Sequence, residues 1–231
     1  MIFRQLFDHD SSTYTYLIAD NTQRIAALID PVITHTDSYL NLVSDLNLTL
    51  KYAIDTHVHA DHISALGALN DACGCITLVG NAGEVSCASE ALADGRTIEV
   101  GDLRLQCLST PGHTDSSYCF YLEHPQPMVF TGDTLLIRGC GRTDFQAGNA
   151  KDLYHSIHQK LYTLPSHTQV WPGHDYKGWT QSSIDEEQRL NPRTQLPEHE
   201  FVTFMDNLNL PDPKLMDIAV PTNLQCGRSV T

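Results

Sequence analysis

Apolar and polar positions in the first third of the chain fall into short, β-rich runs. Ile2 to Phe7, Thr13 to Ala19 and Arg24 to Asp30 are separated by the turn signals Asp10-Ser11-Ser12 and Asp20-Asn21-Thr22, which predicts three strands. Leu40, Val43 and Leu46 then recur at helical spacing, predicting a helix over about Thr36 to Asn47. Tyr52 to Asp55 reads as the next strand. Ile63, Leu66 and Leu69 predict a helix whose first turn carries Asp61 and His62, and Ile76 to Val79 returns to strand.

The middle of the chain repeats the strand theme. Thr97 to Val100, Leu103 to Ser109, Ser117 to Leu122 and Met128 to Thr131 follow one another, with Gly101-Asp102 as a hairpin turn. Asn149 reads as an N-cap with Asp152 three residues on, ahead of the apolar stripe Leu153, Ile157, Leu161 and Leu164. Gln169 to Trp171 is a short strand ending at Pro172-Gly173-His174. A helix from about Ser182 to Leu190 stops before Pro192, and a further helix is expected around Glu198 to Asn207. Strands followed by helices, twice over, predict an α/β sandwich: two mixed β-sheets packed face to face with helices outside. Its 231 residues suit one domain, with residues 192–231 as a proline-punctuated extension packed on it.

Composition narrows the functional classes. The chain is 41% hydrophobic and 18% charged, enough for a substantial core. A formal net charge of −14 opposes binding to nucleic acid or to an anionic membrane surface. No run approaches the ~20 apolar residues that span a bilayer. No secretory or transit leader is visible at Ile2-Phe3-Arg4-Gln5-Leu6-Phe7, so a cytoplasmic protein is expected. Seven cysteines without a CxxC pair fit a reducing compartment better than a disulfide scaffold, and Cys73 and Cys75 read as small buried thiols, with a weak metal or redox pair as the alternative.

Chemistry concentrates in His57-Val58-His59-Ala60-Asp61-His62, at the carboxyl end of a predicted strand. Such a cluster is costly to bury without partners, and imidazole and carboxylate suit zinc and iron. His113, Asp133 and His174 follow, each after a glycine. Taken singly, His113 and Asp133 would read as turn residues, and Thr114-Asp115 offers an acceptor for the His113 ring N–H. His9, His35, His124, His155, His158, His167 and His199 stand apart from this cluster and read as surface or hydrogen-bonded histidines.

The set His57-x-His59-x-Asp61-His62, Gly112-His113, Gly132-Asp133 and Gly173-His174 resembles the metallo-β-lactamase superfamily in order and spacing. In its hydrolases the positions of His57, His59 and His113 hold one zinc. Those of Asp61, His62 and His174 hold a second, with Asp133 bridging. A narrower resemblance, to the persulfide dioxygenases, is carried by the run from Thr131 to Gln146, which includes Ile137-Arg138-Gly139-Cys140-Gly141-Arg142-Thr143-Asp144. Leu153-Tyr154-His155-Ser156, His174-Asp175-Tyr176, the stretch Glu186 to Arg193 and Asn207-Leu208-Asn209-Leu210-Pro211 extend it into the tail. Glyoxalase II shares the histidines and a Gly-Cys-Gly-Arg run but lacks the flanking residues.

This resemblance implies one Fe(II) per chain, held by His57, His113 and Asp133. His59, Asp61, His62 and His174 would form a hydrogen-bonded surround or an unfilled second site. Two imidazoles and a carboxylate on one face leave coordination positions open, as in non-haem iron oxygenases, whereas Zn(II) on the same ligands has no accessible redox change. The implied reaction oxidises glutathione persulfide with O2 and water to sulfite and glutathione. Arg142 is the candidate for substrate placement or site organisation, since its planar fork suits carboxylates, with a salt bridge to Asp144 or a bond to a loop carbonyl as the alternative. Asp61 and Tyr176 are the candidate catalytic side chains, Tyr176 also a substrate contact, and Cys140 reads as structural. Related proteins are often dimers, so a homodimer is expected. The competing readings are a dinuclear zinc hydrolase of glutathione thioesters and, from another class, a metal-poor binding scaffold.

Overall fold

The computed structural model describes residues 1–80, 85 and 87–228. The last three residues of the 192–231 extension therefore lie outside the described residues. The chain divides into two compact units. The first comprises residues 1–92, 97–105 and 212–231, and the second residues 93–96 and 106–211.

The first unit is built on a six-stranded mixed sheet. Its strands lie in the order β1 (Ile2–Asp8), β2 (Thr13–Ala19), β3 (Ile25–Ile29), β4 (Thr49–Ile54), β5 (Ile76–Gly80) and β6 (Glu90–Leu92). β1, β2 and β3 pair antiparallel, with Ile2 opposite Ala19 and Tyr16 opposite Ile29. β3, β4, β5 and β6 run parallel. The strands β3 and β5 are near-continuous apolar runs, as strands covered on both faces require. Helices α1 (Thr36–Asp45) and α2 (Leu66–Cys73) contribute Tyr39, Val43, Leu66 and Leu69 to a core shared with Leu17, Leu28, Leu50 and Ala53. Because β3 and β4 are parallel, Asp30 and the segment beginning at Asp55 leave the sheet at the same edge. That edge is where polar groups from several strands converge in open α/β sheets.

The second sheet has the order β12-β11-β10-β9-β8-β7. Its strands are β7 (Thr97–Val100), β8 (Leu103–Ser109), β9 (Tyr118–Leu122), β10 (Met128–Gly132), β11 (Gln169–Pro172) and β12 (Ser182–Ser183). Gly101, between β7 and β8, has φ +63°, as the predicted turn needs. β10 and β11 are parallel, so Asp133 and His174 follow strand ends on one edge. Helices α3 (Ala150–Ser156), α4 (Ile184–Leu190) and α5 (Glu198–Asp206) supply Leu153, Ile184, Phe201 and Met205 to a second core around Val129 and Val170. Asn149 caps α3 as expected, its Oδ1 accepting from the Asp152 N–H at 3.0 Å. A last helix, α6 (Met216–Asn223), belongs to the first unit.

Several expectations change. Asp61 and His62 are not in a helix, because α2 begins only at Leu66. The backbone before it is bound elsewhere: Ser64 bridges to Val32, and the Ala65 N–H donates to the Pro31 carbonyl at 2.7 Å. The stripe from Leu153 to Leu164 is not one helix, since a π-helical turn over Ile157–Leu161 follows α3. β6 and α6 were not anticipated, and Pro221 inside α6 masks it in the sequence. Cys87 and Cys226 form a disulfide across 139 residues, which overturns the expectation that the cysteines stay reduced. Cys75, Cys107, Cys119 and Cys140 are buried free thiols, and Cys73 is an exposed one rather than a buried one.

Candidate metal centre

In the first unit, β4 ends at Ile54 and the chain enters the histidine loop. His57, His59 and His62 are buried, and the Asp61 side chain retains 25% exposure. Hydrogen-bond partners orient the rings. The Thr56 hydroxyl donates to Asp30 Oδ2 at 3.0 Å. A hydroxyl has one proton, so toward His57 Nδ1, 2.9 Å away, Thr56 accepts and the ring donates. That makes Nε2 the lone-pair nitrogen of His57. His59 Nε2 lies 3.1 Å from Asp30 Oδ1, which sets Nδ1 as its lone-pair nitrogen. His62 Nδ1 lies 2.9 Å from Asp61 Oδ2 and 3.3 Å from Thr13 Oγ1. Its Nε2 is buried without a hydrogen-bond partner among the described residues.

Asp30 and Asp55, buried beneath the loop, were not singled out from the sequence. Each merely ends an apolar strand run, a weak signal. Burial raises the carboxyl of Asp30 above its ordinary range, against the opposing pull of His57 and the Thr56 N–H and hydroxyl. Burial also raises Asp55 well above it, reinforced by the charge of Asp30. Ligand atoms of Asp30, Asp55 and His59 lie within 4.8 Å of one another. Asp30 already accepts from the Thr56 N–H at 2.7 Å, the Thr56 hydroxyl and His59, so it supports the histidines rather than holding its own ion.

In the second unit, His113 follows β8, Asp133 follows β10 and His174 follows β11. His113 Nδ1 donates to the Arg142 carbonyl at 2.7 Å, and not to Thr114 or Asp115. In the neutral ring that leaves a lone pair on Nε2, which lies 3.7 Å from Asp133 Oδ2. His174 Nε2 lies 3.5 Å from Asp133 Oδ1. A lone-pair nitrogen facing a carboxylate oxygen at this range repels it unless a cation sits with them. The donor set fits a metal ion on that ground. Two glycines make the close approach: a Cβ on Gly141 would lie 2.8 Å from His113 Nδ1, and one on Gly173 would lie 2.9 Å from Asp133 Oδ1.

The Arg142 guanidinium grips Asp144 with two contacts of 2.6 Å and donates to the Pro211 carbonyl at 2.7 Å. It also lies 4.5 Å from the Phe145 ring centroid. This bridge holds the Asp144 carboxyl below its ordinary range. The Tyr176 ring stacks parallel to His174 at 6.1 Å and is 72% exposed. Cys140 is buried, its thiol pushed up to about 11 by burial, as befits a structural residue. Among the described residues no helix is long and apolar enough to cross a membrane.

The sequence profile of the metallo-beta-lactamase superfamily matches residues 10–174, and the chain belongs to that superfamily. A metallo-beta-lactamase from Staphylococcus aureus has the same fold, with TM-score 0.90 and 26% identity over 100% of this chain and 73% of its own. Within the superfamily the chain is a member of the persulfide dioxygenase family. It is 47% identical to the mouse protein "Persulfide dioxygenase ETHE1, mitochondrial" over 98% of this chain and 89% of that one. The human counterpart is 46% identical over the same shares. The crystal structure of ETHE1 from Myxococcus xanthus superposes with a TM-score of 0.95 at 54% identity, covering 99% of this chain and all of its own.

Proposed function

We propose that this chain is a persulfide dioxygenase that oxidises glutathione persulfide with O2 and water to sulfite and glutathione. Its cofactor in this reading is one Fe(II), held by His57, His113 and Asp133. The observation that carries it is the pairing of the His113 lone pair with the Asp133 carboxylate, an arrangement that calls for a cation. Family membership favours iron and oxidation over zinc and hydrolysis. Bound iron would supply open coordination positions and redox activity, while the electrons that reduce O2 come from the outer persulfide sulfur on its way to sulfite.

The protein's own groups do the rest. Thr56, held by Asp30, and the Arg142 carbonyl set the ring tautomers of His57 and His113 that leave lone pairs for the metal. His59, Asp61, His62 and His174 serve as a polar surround. Asp61, oriented by Thr13 and His62, is the proposed group that positions the consumed water and takes its proton. Tyr176 is assigned to substrate contact, because its exposed ring stands above His174. Arg142 is assigned to organising the site: its fork is engaged by Asp144 while its carbonyl orients His113.

The test is oxygen uptake with glutathione persulfide by the iron-loaded protein. One sulfite formed per O2 consumed is expected. Iron-loaded protein that shows neither uptake nor sulfite, yet hydrolyses S-lactoylglutathione without O2, would replace this reading with the thioester hydrolase.

A further inference from the structure

Asn223, the last residue of α6, commits its carboxamide to the histidine loop of the same unit. Nδ2 donates to the carbonyls of His59 and His62, both at 2.8 Å, and Oδ1 accepts from the Ser64 N–H at 2.9 Å. The residue is 5% exposed. These loop groups lie outside any helix or strand, so their hydrogen bonds must come from elsewhere in the protein.

The chain after Asn223 presses on the same region. The Gly67 N–H donates to the Cys226 carbonyl at 2.8 Å, and a Cβ on Gly227 would lie 1.9 Å from the Ser64 carbonyl oxygen. The Cys87–Cys226 disulfide fastens this segment three residues beyond Asn223. Arg228 anchors it separately, to Asp71 Oδ1 at 2.6 Å and to Asn70 Oδ1 at 3.2 Å.

We propose that Asn223 is a positioning residue for the metal-binding loop. It fixes the peptide planes that follow His59 and His62, and so holds the His59 ring against the ligand His57, their ring centroids 4.1 Å apart. This rests on the metal reading given above. A carboxamide suits the task because it offers two donors and an acceptor on one rigid plane, matching two carbonyls and one N–H. Aspartate has the same shape but would face both carbonyls with an acceptor. Alanine leaves all three loop groups without this partner.

The experiment is a Co(II) titration of the full chain, following the visible d–d absorption band and the affinity, beside thermal melting of the metal-free protein. N223D and N223A are compared with wild type and with R228A, which loosens the tail on α2 but not on the loop. Wild type and R228A should share the band and the affinity. N223D and N223A should bind Co(II) about tenfold more weakly or worse, with an altered band. Unchanged band and affinity in both Asn223 variants, with melting lowered as in R228A, would reduce Asn223 to a structural role and overturn the proposal. Failure of both variants to fold even with Co(II) supplied would also count against it, because the effect would then be global. Absence of any Co(II) band in wild type would sink the metal reading itself, and this proposal with it.

Discussion

At the scale of single residues, the histidines are distinguished less by their number than by the polarity of the hydrogen bond each one makes. The chain Asp30–Thr56–His57 shows how far this can be followed. Thr56 gives its proton to Asp30 and so receives one from His57. In D30N, an amide N–H at the Oδ2 position would donate to Thr56 and turn its hydroxyl toward His57 Nδ1. The His57 proton would then move to Nε2, the nitrogen meant for the metal. D30N is expected to weaken metal binding about 10- to 100-fold while leaving the fold intact. Competition against a chelator measures this, and wild-type affinity would refute the tautomer assignment. Cys140 gives a second residue-level prediction. With its thiol pushed up to about 11 and buried, it should escape alkylation by iodoacetamide in the native protein at pH 8, whereas exposed Cys73 is modified. Mass spectrometry of the peptides decides, and rapid labelling of Cys140 would contradict its structural assignment.

At the scale of elements, the tail motif around Glu186 to Arg193 turns out to brace the loop behind His113. Glu187, fully buried on α4, accepts from the Arg138 N–H at 2.9 Å, the Ser182 hydroxyl at 2.6 Å and the Asn191 amide at 2.9 Å, and pairs with the Arg138 guanidinium. Asn191 donates to the Gly139 carbonyl and Arg193 to the Cys140 carbonyl, each at 2.9 Å. The segment so held continues into Gly141 and Arg142, whose carbonyl orients His113. E187A leaves Arg138 with Glu186 as its remaining carboxylate but strips the acceptor from the Arg138 N–H, the Ser182 hydroxyl and the Asn191 amide, and should cost about 1–3 kcal/mol. Urea denaturation would show it, and a loss below 1 kcal/mol would mean that the network is not coupled to folding. The sequence displayed these residues only as a resemblance. Their physical link, a left-handed Arg138 at φ +58° answering a glutamate 49 residues later, has no local periodicity to reveal it.

The legible part of the chain was its strands and ligands. Alternation and apolar runs located nearly every strand, and strand ends located His57, His113, Asp133 and His174. Long-range partners were not legible. Asp30 looks like any strand-terminal acid, and Asn223 sits in a helix that Pro221 conceals. Ile63, Leu66 and Leu69 have helical spacing, yet the backbone just before Leu66 is satisfied by Pro31, Val32 and Asn223 instead.

At the scale of the whole molecule, the Cys87–Cys226 link closes a loop of 139 residues, and pairing over such a distance leaves no trace in cysteine spacing. C226S is expected to lose about 2–4 kcal/mol relative to the oxidised protein, with little difference once wild type is reduced. Denaturation with and without dithiothreitol tests this, and equal stability of oxidised wild type and C226S would contradict it. The larger question is whether the pattern of ligands serves oxidation or hydrolysis, and metal content separates the two. Elemental analysis of protein purified anaerobically should give close to one iron per chain. Two zinc ions per chain, with iron absent, would contradict the oxidative centre.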